Sequence, residues 1–483
     1  MTSLLTYALA CGKIFGEEGV YLAKKYEMDF TEGSILKKMI ICALPIIGVN
    51  ILQLLFTAAD VAVLGIFTND HAVAAVGSTT QITNMLIGFF VGLSVGANIL
   101  VARATGAKDP ERAKRLVGTS VVASVIFGTV VMIAGILLAE KLLIWTNCDE
   151  KVFPYAAKYL KIYFIGMPVI MLYNFCASIL RAVGDTVRPL IFLVIGGVLN
   201  IGLNIFFIIA VGLDVEGVAI ATVVSQAVSA VGALIIMARS AGYSALDKKE
   251  IRIRKREIRD IFFVGLPLGL SKCTFAVANV VILSSLNSLG DQIMAANSIV
   301  KEFDAIILEV MHGLTIASIA MISQNLGAKK PERIKRTILT NLAVVICVGV
   351  ALGAIFYVTA PFLCGIMTNT EAVIEYGMIR VALVGVPYVL CGIVNVLQEG
   401  IRGLGYSNTS LGISVFSNIV FRVFWLTAIY PLLYSDNISH NYAYICMVWP
   451  LSWIVIIVVA TPLLIFFYKK TKKKIQAELA ALA

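Results

Sequence analysis

Apolar residues along this chain come in runs too long for a globular core. A window of about 19 residues finds twelve of them, at 36–65, 73–103, 115–140, 153–181, 187–211, 217–239, 258–288, 292–326, 335–360, 372–402, 406–434 and 442–468. Each is longer than the roughly 20 residues that cross a hydrocarbon layer about 30 Å thick. The pattern predicts an all-α polytopic membrane protein of twelve transmembrane helices, several of them tilted or projecting past the hydrocarbon. The lipid bilayer is its solvent.

The polar interruptions repeat. GAKDPERAKR at 106–115 returns as GAKKPERIKR at 327–336, ALP at 43–45 as GLP at 265–267, GMP at 166–168 as GVP at 385–387, and RAVG at 181–184 as RGLG at 402–405. Four pairs at a nearly constant offset mark an internal duplication. Six helices per half is an even number, so both halves enter the membrane in the same sense: two parallel six-helix halves around a central cavity. The expected organisation is a cytoplasmic N-terminal segment (1–35), a first half (36–239), a partly helical basic linker (240–257), a second half (258–468) and a basic tail (469–483). Pro45, Pro168, Pro267 and Pro387 fall inside spans at repeat-related places and predict bends, serving either gating or packing.

Composition narrows the class. The chain is 59% hydrophobic and 14% charged, against about 25% charged in soluble domains. A net charge of +10 would suit a nucleic acid if it lay on one face, but the basic residues sit in short clusters between spans, so no nucleic-acid partner is expected. With the N-terminus inside, 31 of the 39 Lys and Arg residues fall in inside segments, and an even span count brings the C-terminus inside as well. Cys42, Cys176, Cys273, Cys347, Cys391 and Cys446 lie in apolar runs without any CxxC pair and read as small buried hydrophobes; Cys148 and Cys364 fall in expected external loops, where they could pair. The run Leu4 to Cys11 is too short to span a membrane, and Met28, opening MDFTEGSILKK, is an alternative start to Met1.

No Walker loop, HExxH motif or nucleophile elbow is present, and His71, His312 and His440 are scattered, so neither an enzyme nor a resident metal or cofactor is expected. Eight acids lie within the expected helices (Asp60, Glu140, Asp260, Glu302, Asp304, Glu309, Glu375 and Glu399), and an acid at a helix centre costs about 2.5–3.5 kcal/mol unless paired, protonated or hydrated. Asp60 is the only one in the first span. Asn50, Gln53 and Thr57 precede it at spacings of three and four, giving one polar stripe on an apolar helix. Such a carboxylate takes a proton or helps to hold Na⁺; the plainer alternative is a wet residue at a helix mouth. Asn200 and Asn204, one turn apart, join the same interior or bond neighbouring helices. The second half carries a different polar cluster: Lys272, Glu302, Asp304, Glu309 and Arg422, with Lys301 and Glu399 nearby. Lys272 and Glu309 come to similar depth and are candidates to pair.

These residues bring the chain close to a known family. TEGSILKKMIICALP at the entry, Asp60 followed by Gly65, RAVGDTVRP at 181–189, LNIGLN at 199–204, GVAIAT at 217–222 and IRGLG in the second half together resemble the bacterial branch of the multidrug and toxic compound extrusion (MATE) transporters, over about residues 29–470. The resemblance implies a secondary exporter that antiports organic cations and other small amphipathic compounds against inward H⁺ or Na⁺ by alternating access. The expected place is the bacterial cytoplasmic (inner) membrane, with a monomer as the default state. The resemblance also makes Asp60 the coupling residue, joined by Asn200 and Asn204, and Arg181, Gly184, Asp185 and Pro189 the family's loop motif. Some members carry Asp where this chain has Asn204, and others an acid where it has Lys272. The rival readings are a major facilitator transporter, whose basic loop signature GAKDPERAKR lacks, a lipid-linked sugar flippase or narrow-substrate metabolite exporter, and an intramembrane enzyme or receptor-like binding protein.

Overall fold

The computed structural model describes residues 26–146 and 148–481, without the Gln81 side chain; the apolar run Leu4 to Cys11 lies outside the described residues. Among these the chain is helical throughout its ordered elements, without strands. The spans are α1 (Ile35–Phe67), α2 (Asp70–Gly106), α3 (Pro110–Trp145), α4 (Phe153–Ile165 and Met167–Ala182), α5 (Val187–Ala210), α6 (Val215–Arg239), α7 (Lys255–Asn287), α8 (Asp291–Gly327), α9 (Pro331–Met367), α10 (Glu371–Gly403), α11 (Ser407–Leu433) and α12 (Ile438–Ala480). Eleven are long and apolar enough to cross a membrane singly, and α4 makes twelve if its two pieces, bent by 51°, count as one span. The bend falls at Gly166, where Pro168 removes a helical hydrogen bond. Its repeat mate, Pro387, follows a wide π-helical turn at Val381–Gly385 in α10.

Duplication extends to backbone angles. Among the described residues Lys108 and Lys329 are the two non-glycine residues with positive φ, at 55° and 56°, and Gly184 and Gly405 take φ of 85° and 101°. Each pair holds matching places in the two halves, so the same left-handed turn ends the same helix twice.

The molecule divides into two compact units, one comprising Gly48–Gly269 with the segment ending at Phe30, the other Thr31–Ile47 with Leu270–Ala483. Both borders fall inside a helix, α1 and α7, two or three residues beyond the repeat-related Pro45 and Pro267. In the first unit the start of α7 crosses α2 glycine on glycine: a Cβ on Gly96 would stand 2.7 Å from the Gly265 nitrogen. Gly92 meets Gly269 in the same way, so small residues four apart on both helices let the backbones touch. In the second unit the start of α1 packs on α8, where Ile47 covers Gly313.

The connecting segments follow the same plan. Before α7, Thr119 of α3 donates to the Arg252 carbonyl (3.3 Å) and Arg115 pairs with Glu257 (3.3 Å). Before α1, Lys330 donates to the Thr31 carbonyl (3.0 Å) and Arg333 to the Glu32 and Gly33 carbonyls (2.6 and 2.8 Å). The linker is helical at Lys248–Glu250 and again from Lys255.

The basic tail expected at 469–483 continues α12 as helix to Ala480. Lys472 reaches Glu332 (2.5 Å) and Glu478 reaches Lys329 (3.0 Å), so charges that end a hydropathy window are partnered by the α8–α9 loop and the start of α9. Cys364 lies inside α9 rather than in a loop, and both it and Cys148 are free thiols.

Candidate functional site

The first unit assembles its site around α1. Asn204 of α5 donates from Nδ2 to Asp60 Oδ1 at 2.6 Å, and more weakly to Asn200 Oδ1 at 3.5 Å. Asn200 in turn donates to the Thr222 hydroxyl of α6 (3.4 Å), which is itself anchored on the Val218 carbonyl (2.9 Å). One helical turn separates Asn200 from Asn204, so both face the same interior, and Asn204 is wholly buried. Immediately beyond it, α5 widens into a π-helical turn at Phe206–Ala210, a distortion that recurs at functional sites. Tyr159 and Tyr163 of α4, also buried, stand within electrostatic reach of the Asp60 carboxylate.

The Asn204 Oδ1 atom is buried with no hydrogen-bond partner. The amide that carries it is bonded to the Asp60 carboxylate and the Asn200 carbonyl oxygen, and Asn200 in turn reaches the Thr222 hydroxyl. That set is rich in oxygen acceptors and short of donors, the chemistry that suits a hard cation. Among the described residues no group of three or more His, Cys, Asp or Glu side chains is placed to hold a metal.

The rest of the expected stripe lies elsewhere. Gln53 and Thr57 are exposed, Thr57 spends its hydroxyl on the Gln53 carbonyl of its own helix (3.0 Å), and Asn50 is half-buried. The loop motif holds the end of α4 to the start of α5. Arg181 donates to Ser178 (3.2 Å), Pro189 accepts from the Tyr173 hydroxyl (3.1 Å), and Asp185 accepts from the Arg188 backbone (3.2 Å) and pairs with its guanidinium. Burial pushes the Asp185 carboxyl up, and Arg188 opposes the rise. Gly184 lies under Met28, whose amide donates to Val183 O (2.9 Å).

The second-half residues do not form one cluster. Glu302 and Lys301 are exposed. Asp304 is buried against Arg380 of α10 at 2.7 Å; the same guanidinium donates to Asn297 (2.7 Å) and stacks over Trp449 (4.8 Å). The expected Lys272–Glu309 pair is replaced by Glu309 with His312, 3.8 Å apart, and Lys272 acts on Glu309 from further off. Glu399 pairs with Arg402 one turn along α10 (2.8 Å). Arg422 is fully buried and donates from Nε to the Ser452 hydroxyl (3.3 Å). Sequence reasoning passed over Thr222, His312 and Arg380. Arg380 was detectable as a charge deep in a span, and His312 by its three-residue spacing from Glu309.

Comparison with known proteins identifies the family and the fold. The MatE family model matches twice, over residues 45–206 and 267–425, once in each half. The probable multidrug resistance protein YoeA of Bacillus subtilis is 25% identical over 393 residues, covering 80% of this chain and 84% of the relative. The multidrug export protein MepA of Staphylococcus aureus (strain COL) is 22% identical, over 77% of this chain and 84% of that protein. Among solved structures, a MATE protein in its bent conformation superposes with a TM-score of 0.84 at 22% identity, covering 92% of this chain and 98% of that one. An outward-facing multidrug resistance MATE transporter gives 0.83 at 21%, with the same coverage. Two matched halves, full-length relatives and a shared two-lobe fold lead to one conclusion: this chain belongs to the MATE family of multi-pass membrane transporters.

Proposed function

We propose that the chain is a secondary exporter that antiports organic cations or other amphipathic compounds by alternating access, driven by an inward cation bound at Asp60. The observation that carries this reading is the oxygen-lined pocket of Asp60, Asn200, Asn204 and Thr222, with Asn204 Oδ1 left unpartnered in the membrane interior. A proton needs only the carboxylate, whereas a spare buried amide oxygen supports Na⁺ as the coupling ion. Gln53 and Thr57 belong to the approach to this pocket rather than to its ligands. One ion is energetically adequate. A charge crossing about 100 mV releases about 2.3 kcal/mol, enough for roughly a fifty-fold gradient.

The lysine-rich loops support a position in the bacterial cytoplasmic membrane with both termini inside, and the chain works as a monomer. The reading assigns no catalytic step and no cofactor other than the coupling ion.

The test is ethidium efflux from proteoliposomes under an imposed Na⁺ gradient and, separately, an imposed pH gradient. Wild type is expected to follow the Na⁺ gradient, and Asp60→Asn to lose coupling while still folding. Efflux driven only by the pH gradient would move the assignment to H⁺. A fully active Asp60→Asn protein would remove Asp60 from the mechanism.

A further inference from the structure

The second unit holds a charge that its own residues leave unanswered. Arg422 sits midway along α11 with no exposed surface, and both its η nitrogens are buried without a hydrogen-bond partner. Among the described residues no carboxylate lies within ion-pair distance of it: Asp304 is taken by Arg380, Glu399 by Arg402, and Glu309 by His312. The Phe275 ring of α7 lies over the guanidinium, 5.4 Å from it, and is itself 41% exposed. One turn before Phe275 stands Lys272, exposed although it lies mid-helix. Arg422 and Lys272 both act electrostatically on the Cys391 thiol of α10.

The helix around Arg422 is also distorted. Wide π-helical turns run on either side of it, at Phe416–Phe421 and Trp425–Ile429. Such turns cost regular hydrogen bonding and recur where a helix serves a ligand. An unpaired guanidinium inside a membrane protein is expensive, and its partner is the first thing to look for.

The internal repeat says what kind of partner fits. The register that aligns Pro45 with Pro267 sets Asn50 opposite Lys272 and Gln53 opposite Phe275. The register that aligns Arg181 with Arg402 sets Asn200 opposite Phe421, directly before Arg422. Where the first half carries the amides Asn50 and Asn200, the second half carries an ammonium at the matching position of the one and a guanidinium one residue beyond that of the other.

We infer that Arg422 and Lys272 form a receptor for a single anionic group, a carboxylate, sulfonate or phosphate, carried on an amphipathic molecule whose apolar body rests against Phe275. Glu309 offsets Lys272, and the ligand's anion answers Arg422. Movement of the Phe275 ring admits it. The inference rests on the exporter reading only in treating the ligand as cargo; the same headgroup chemistry is offered by an anionic phospholipid.

The experiment is equilibrium binding of radiolabelled taurocholate, an amphipathic sulfonate, to the full chain in phosphatidylcholine nanodiscs, with empty nanodiscs as background. Removing a charge-assisted contact is expected to weaken binding about ten-fold or more in Arg422→Gln. Arg422→Lys recovers part of the affinity, and Lys272→Gln loses a few-fold. Thermal melting confirms that each variant folds; should Arg422→Gln fail to fold, Arg422→Lys and Lys272→Gln decide. Native mass spectrometry of phosphatidylglycerol retention is the lipid arm, and retention lost in Arg422→Gln without taurocholate binding by wild type assigns the headgroup as the source. Folded variants that leave both ligands unaffected overturn the inference. Ethidium efflux by the same preparations separates the two readings. Efflux with no anion binding sinks the anion receptor alone, and anion binding with no efflux sinks the exporter alone.

Discussion

Replacing Arg380 by Met would leave the Asp304 carboxylate buried without its counter-charge. The two side chains keep 6% and 3% of their surface accessible and meet at 2.7 Å. Arg380 also gives up its hydrogen bond to Asn297 and its stacking on Trp449. Breaking one side of a buried pair costs about 3–5 kcal/mol, because the abandoned charge has no water to return to. Most of that cost is the orphaned carboxylate, so Asp304→Asn combined with Arg380→Met should recover at least half of it. Unfolding by sodium dodecyl sulfate in mixed micelles, followed by tryptophan fluorescence, measures both. An Arg380→Met protein within about 1 kcal/mol of wild type would refute the reasoning, since it would mean that water or a mobile side chain already reaches Asp304. The pair also engages Asp304 before any ion arrives, so Asp304→Asn is expected to keep gradient-driven efflux where Asp60→Asn loses it.

Gly96→Leu should lower the yield of folded protein sharply, because even a Cβ there meets the Gly265 backbone at 2.7 Å, whereas Gly77→Ala, with open space around it, should melt like wild type. Burial pushes the Glu27 carboxyl above its ordinary 4.5, with the Ser244 hydroxyl bond opposing the rise. Its neutral form is therefore the docked form, so attachment of this segment is firmest at low pH and weakens as pH rises through the raised value. Hydrogen exchange at the Met28 amide, corrected for intrinsic rate, should show protection falling from pH 5 to pH 8, and Glu27→Gln should flatten that dependence; a pH-independent wild type would refute it. Single cysteines placed as Glu150→Cys and Lys473→Cys should react with an impermeant maleimide from outside and from inside the cell respectively, and the reverse pattern would invert the proposed topology.

Much of the architecture was legible because lipid imposes a simple code. Eleven of the twelve apolar runs became single spans and the other became the bent pair of α4, and the two GAK-PER loops returned with the same left-handed lysine. The end of α12 was not legible, since its lysines break the hydropathy signal while their acidic partners lie far away in sequence. Asp60 stood out as the one acid in its span, and the Asn200–Asn204 spacing implied a shared face. Thr222 did not stand out, because a threonine in a span commonly bonds its own helix, as Thr57 does. The pairing of Asp304 with Arg380 depends on which helices pack together, and one-dimensional spacing carries no trace of that.

The unit border inside α1 has a consequence for biosynthesis. Thr31–Ile47 leaves the ribosome before any of Gly48–Gly269, yet it belongs to the unit that also holds α12. The early stretch must remain unclaimed while some two hundred residues of the other unit are synthesised and packed. Cotranslational assembly therefore cannot finish one lobe and then begin the next, and a chain cut within the 240–257 linker would yield two fragments, each missing a piece that only the other can supply.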